Sequence, residues 1–79
     1  MTASQYNTYQ SGGETVSIAE NIKKIRKQNE ITQEQLAEGT GYSRSMIARI
    51  ECGIMIPNVL MMKVIADYFG VPIEYFLEE

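Results

Sequence analysis

The chain has no histidine and no tryptophan, and only one cysteine and two prolines among 79 residues. Without histidine, the side chain that most often moves protons near neutral pH is missing. With Cys52 alone, neither a disulfide framework nor a multi-cysteine metal site can form. No paired carboxylates, nucleophile–base pair or phosphate-cradling glycine loop takes their place. The expectation is therefore a protein that is not an enzyme, has no metal or cofactor, and shows no evident small-molecule ligand. Long hydrophobic runs are also lacking. The most apolar stretch, IMIPNVLMMKVIA from Ile54 to Ala66, is too short to span a bilayer and is broken by Pro57, Asn58 and Lys63. After Met1, the segment TASQYNTYQSGGE has neither the basic cluster nor the apolar core of a secretory signal. No membrane association and a cytoplasmic location are expected.

What is present is 44% apolar residues in a chain near the lower limit at which a core holds without staples. With no internal repeat, a single small helical domain is the best fit to this composition. Seven basic against ten acidic residues leave a net charge of -3, which by itself argues against a polyanionic partner. The placement of the charges argues otherwise. Lys23, Lys24, Arg26, Lys27, Arg44 and Arg49 all precede residue 50, whereas Asp67, Glu74, Glu78 and Glu79 crowd the end with no base among them. A negative total can hide a local basic face.

Residues 1–16 are polar, carry SGG and lack apolar periodicity, so they read as a flexible arm ahead of a domain over 17–79. Tyr6 and Tyr9 are the arm's only candidates for stacking on a partner. SIAE from Ser17 has the form of a capping box and predicts the first helix, with Ile18, Ala19, Ile22 and Ile25 inward. Thr32 with Gln35 repeats the box for a short second helix, whose stripe is Leu36 and Ala37. Ser43 caps a third, with Met46 or Ile47 and Ile50 inward and Gly53 just past its end. Asn58 caps a fourth through Phe69, with Val59, Met62, Ile65, Ala66 and Phe69 inward. Val71–Leu77 reads as a short fifth helix.

Two short helices joined by a glycine-containing turn form a helix-turn-helix, which holds out the N-terminal part of its second helix to enter a groove. Gly41 suits the left-handed turn, and Ile47 and Ile50 anchor the third helix, freeing Arg44, Ser45, Ala48 and Arg49. TQEQLA followed by SRSMIARIECG, within a span from Ile18 to Leu77, resembles the Cro/C1-type (XRE-like) helix-turn-helix family. The resemblance implies an all-α, five-helix, lambda-repressor-like DNA-binding domain. It also implies double-stranded DNA as partner, the third helix in the major groove, and a homodimer on a two-fold operator. The function implied is a sequence-specific transcription regulator, a repressor.

By that match Arg44, Ser45 and Arg49 fall at base-reading positions, where arginine's paired donors suit guanine O6 and N7. Gln33 and Ser43 fall at backbone-contact positions. Arg26 and Glu51 correspond to the family's internal salt bridge. Met46 has two readings, a thymine-methyl contact or a place in the core. The plain alternative for the SRSMIAR face is a solvated helix surface.

The departures are as informative. Where the family carries a polar or basic loop, this chain has Ile54, Met55 and Ile56, and Leu60, Met61 and Val64 add a second greasy stripe to the fourth helix. These six are the candidate dimer interface, a wider core being the competing explanation. The stripe also keeps open a protein-interaction or antitoxin-like module on the same scaffold. Cys52 stands where the family often has arginine or asparagine, and a lone thiol is more often inert than redox-sensing.

Overall fold

The computed structural model describes residues 13–77. It consists of α1 (Gly13–Gln28), α2 (Gln33–Thr40), α3 (Arg44–Glu51), α4 (Val59–Phe69) and a 3₁₀ turn, Ile73–Leu77. The fifth element is thus not an α-helix. The element is a short 3₁₀ winding of five residues, and it still delivers Phe76 into the core. The Phe76 carbonyl accepts from Asn21 Nδ2 at 3.2 Å, which ties this turn back to α1.

The first helix begins at Gly13, four residues before the expected Ser17. Ser17 therefore has helical backbone and cannot act as an N-cap, which requires an extended one. Of the arm expected over 1–16, residues 13–16 belong to α1, while 1–12 lie outside the described residues, as do Glu78 and Glu79.

The other starts follow their caps. Thr32 Oγ1 accepts from Gln35 N at 3.0 Å while Thr32 N donates to Gln35 Oε1 at 2.8 Å. Ser43 Oγ accepts from Met46 N at 3.1 Å, and Asn58 Oδ1 accepts from Met61 N at 2.8 Å. The helix ends share one device. Beyond α3 and α4, Gly53 (φ 78°) and Gly70 (φ 72°) take the left-handed conformation that closes the last turn.

Beyond α1 the same position is held by Glu30, at φ 58°, with Glu30 N on the Lys27 carbonyl and Ile31 N on that of Arg26. A side chain in this region costs roughly 1 kcal/mol that glycine avoids. Glu30→Gly is therefore expected to raise stability by up to about 1 kcal/mol in a denaturant melt. A loss of that size would show that the Glu30 side chain makes a compensating contact.

The core is built from Ile22, Ile25, Leu36, Ala37, Ile47, Ile50, Met61, Met62, Ile65, Ala66 and Phe76. On α4 the inward stripe contains Met62, Ile65 and Ala66 as expected, with Phe69 packed against it, but Met61 takes the place of Val59. Met61 is buried at 7% exposure, whereas Val59 is 68% exposed. Val59 is the first residue of its helix and projects past the end of the core. Met61 thus belongs to the chain's own interior rather than to a free apolar surface.

Candidate nucleic-acid interface

Gly41 (φ 83°) makes the turn between α2 and α3, donating its N–H to the Ala37 carbonyl at 2.9 Å. Leu36 and Ala37 below and Ile47 and Ile50 opposite clamp the two helices through fully apolar contact. That rotation of α3 leaves Arg44, Ser45 and Arg49 exposed along one side, with Ala48 half-buried between them. Met46 is half-buried and packs against the core.

Beneath this surface Arg26 and Glu51 form a two-pronged ion pair. Arg26 Nε donates to Glu51 Oε2 at 2.6 Å and Nη2 to Oε1 at 2.9 Å. Their side chains are 11% and 2% exposed. Arg26 Nη1 donates to the Ile31 carbonyl at 2.8 Å, so the guanidinium also secures the α1–α2 turn. The hydrogen bond to Glu51 holds the guanidinium pKa above the usual arginine value against the opposing effect of burial, with the carboxylate's charge adding to the rise. A raised pKa favours the fold below the arginine range and loses effect only as pH climbs through it. The pair's arginine therefore contributes fully across the neutral range.

Gln33, at the first position of α2, is half-buried and donates Nε2 to Glu51 Oε1 at 3.1 Å. Nothing in the sequence pointed to this bond, because its partners lie on different helices and neither residue type is diagnostic. Ser43 is exposed, and its oxygen already serves as the cap of α3. Its hydroxyl proton remains available as a donor. Between the α1–α2 turn and the start of α3 runs an open groove of about 590 Å³, lined by Arg26, Thr32, Gln33, Glu34 and Arg44 among others. The early backbone N–H groups of α2 have no partner within the helix, and around them the groove carries the carboxylates of Glu30 and Glu34 as well as the cations of Arg26 and Arg44.

The apolar stretch after α3 divides. Ile54, Ile56, Val59 and Leu60 are 76%, 63%, 68% and 65% exposed, whereas Met55 and Val64 are half-buried. Ile54 N and Met55 N both donate to the Arg49 carbonyl, at 3.0 and 3.2 Å, which attaches the start of this loop directly to the end of α3. Of the six residues expected at a dimer interface, Ile54, Ile56 and Leu60 are strongly exposed, and Val59 joins them. Cys52 is exposed. Among the described residues no cluster of three His, Cys, Asp or Glu side chains is placed to hold a metal, and no helix is long and apolar enough to cross a membrane.

Two short helices joined at a left-handed glycine, the second locked to the core by Ile47 and Ile50, make a helix-turn-helix. The chain belongs to the helix-turn-helix family, whose model matches residues 22–76. It is 33% identical over 64 residues to the immunity repressor protein of Bacillus phage phi105, covering 81% of this chain and 44% of that protein. It is 38% identical over 58 residues to the HTH-type transcriptional activator BcrR of Enterococcus faecalis, covering 73% of this chain and 28% of that protein. The chain thus spans less than half the length of both relatives. One is named as a repressor and the other as a transcriptional activator. The crystal structure of the restriction-modification controller protein C.AhdI from Aeromonas hydrophila superposes with a TM-score of 0.77 at 19% identity. That match covers 81% of this chain and 97% of the other, and it is a likeness of fold.

Proposed function

We propose that this protein is a sequence-specific DNA-binding transcription regulator that inserts α3 into the major groove. The observation that carries this reading is the exposed row Arg44, Ser45 and Arg49 on a helix whose opposite side, Ile47 and Ile50, is locked into the core. In this reading the arginines and Ser45 read base edges, while Gln33 and Ser43 hold the phosphate backbone. Repression is the simplest output, since occupancy of an operator that overlaps a promoter suffices to block transcription. Binding to random-sequence duplex should fall steeply with added salt, and selection from random DNA should return a two-fold site. No salt-dependent binding to any duplex would overturn the reading.

The reading includes a homodimer. Two recognition helices must sit about 34 Å apart to reach successive major grooves, and an apolar patch beside α3 that meets its own copy sets such a spacing. Ile54, Ile56, Val59 and Leu60 form that patch in place of the family's polar loop. A dimer also doubles the phosphate contacts, which offsets the chain's negative total charge. Ile56→Glu with Leu60→Glu should give a folded monomer with little affinity for a two-fold site. Sedimentation of the wild type as a monomer at high micromolar concentration would remove the interface.

The same exposed patch is the one observation that favours a second reading, a protein-interaction or antitoxin-like module on this scaffold. That module would bind a protein through the patch and leave duplex DNA alone. Loss of partner binding in the same double variant, with no salt-dependent DNA affinity in the wild type, is its signature.

A further inference from the structure

Glu51 serves more than one partner. Its Oε1 accepts both from Arg26 Nη2 at 2.9 Å and from Gln33 Nε2 at 3.1 Å, while Oε2 takes Arg26 Nε. An ionised carboxylate offers acceptors only, so Gln33 must turn the nitrogen side of its amide inward. That bond uses one of the two N–H donors and leaves the second, together with the carbonyl oxygen, for other partners. The ion pair does not need Gln33 to be complete, because Arg26 already fills both carboxylate oxygens. The glutamine is the member that gains: a flexible side chain on the rim of the groove beside Arg44 is ordered by a group at the far end of α3.

We propose that Glu51 is a positioning residue for DNA binding, fixing the Gln33 amide so that its remaining N–H meets a backbone phosphate without first losing rotamer freedom. The inference rests on the reading of this surface as a DNA interface. It gives the buried pair a role in recognition beyond holding α1 to α3, since the end of the recognition helix then sets the geometry at the start of α2. Ordering a donor before contact removes part of the entropic cost of binding, which is the general gain from preorganisation.

Two measurements test it. The first is binding to a random-sequence duplex at low salt, in the wild-type background and in one where Arg26→Met and Glu51→Leu replace the pair with apolar side chains. Buried pairs often tolerate such an exchange, and thermal melting identifies the conditions under which the variant is folded. Gln33→Ala should weaken wild-type binding about fivefold, the worth of one hydrogen bond, and should change binding by less than about twofold in the apolar background. Equal losses in both backgrounds would show that Gln33 acts unaided and overturn the proposal.

The second measurement is the nuclear magnetic relaxation of side-chain amides in the free wild type. It decides the matter even where the apolar variant does not fold. The Gln33 amide should be as ordered as the backbone, and one as mobile as that of the exposed Gln28 would overturn the proposal. Absence of any wild-type binding removes the DNA-binding reading and this inference with it. Normal binding that is indifferent to Gln33→Ala removes this inference alone.

Discussion

Arg44→Ala and Arg49→Ala are each expected to weaken binding to the preferred DNA site by about 1–3 kcal/mol and to relax the choice of base at one position. Both side chains are exposed on α3, so neither replacement should change the melting temperature appreciably. The base-reading role rests on the difference between two titrations. An arginine that donates two parallel bonds to a guanine loses them only on the preferred sequence. One that merely neutralises a phosphate is missed equally on every sequence, and its removal lowers the salt slope by about one. Equal weakening on preferred and random duplexes would reassign these residues to the backbone. Arg44 is the more exposed to that outcome, because it lines the groove beside Gln33 and the start of α2.

The second large effect falls on stability. Arg26→Ala strands a carboxylate that is 2% exposed, and Glu51→Ala leaves at the edge of the groove a guanidinium whose remaining bond is to the Ile31 carbonyl. Breaking a buried pair from one side typically costs about 3–5 kcal/mol, a large share of what a domain of this size has. Each single variant should therefore melt far below the wild type, and the double variant should lose much less than the sum. Additive losses would mean that the two groups act independently, contrary to their two-pronged geometry. Arg26→Lys is informative as well. An ammonium cannot span both carboxylate oxygens and the Ile31 carbonyl in one plane, so much of the loss should remain.

Much of the secondary structure was legible because its signals act over a few residues. The boxes and caps at Thr32, Ser43 and Asn58 start α2, α3 and α4, and Gly53 and Gly70 end α3 and α4, as expected from the one-dimensional pattern. The same logic failed at Ser17. A capping sequence is also an acceptable helix interior, and nothing in GETV obliges the chain to stop. At Glu30 the residue type gives no such signal, because a closing turn that favours glycine is made there with a glutamate. For the candidate interface, the outward row on α3 was readable from the inward isoleucines. The pairing of Arg26 with Glu51 came from family resemblance and not from any spacing.

By itself, then, the sequence determined where α2, α3 and α4 lie and that Arg44, Ser45 and Arg49 face away from the core. Those properties depend on local hydrogen bonds and a 3.6-residue period. Only the tertiary structure decided how the helices are rotated against one another. That rotation buries Met61 and exposes Val59, and it sends Met46 to the core. It also brings Glu51 to Arg26 across 25 residues and to Gln33 across 18. Contacts at such separations depend on the packing of whole helices, and no local pattern encodes which long side chains will meet beneath them.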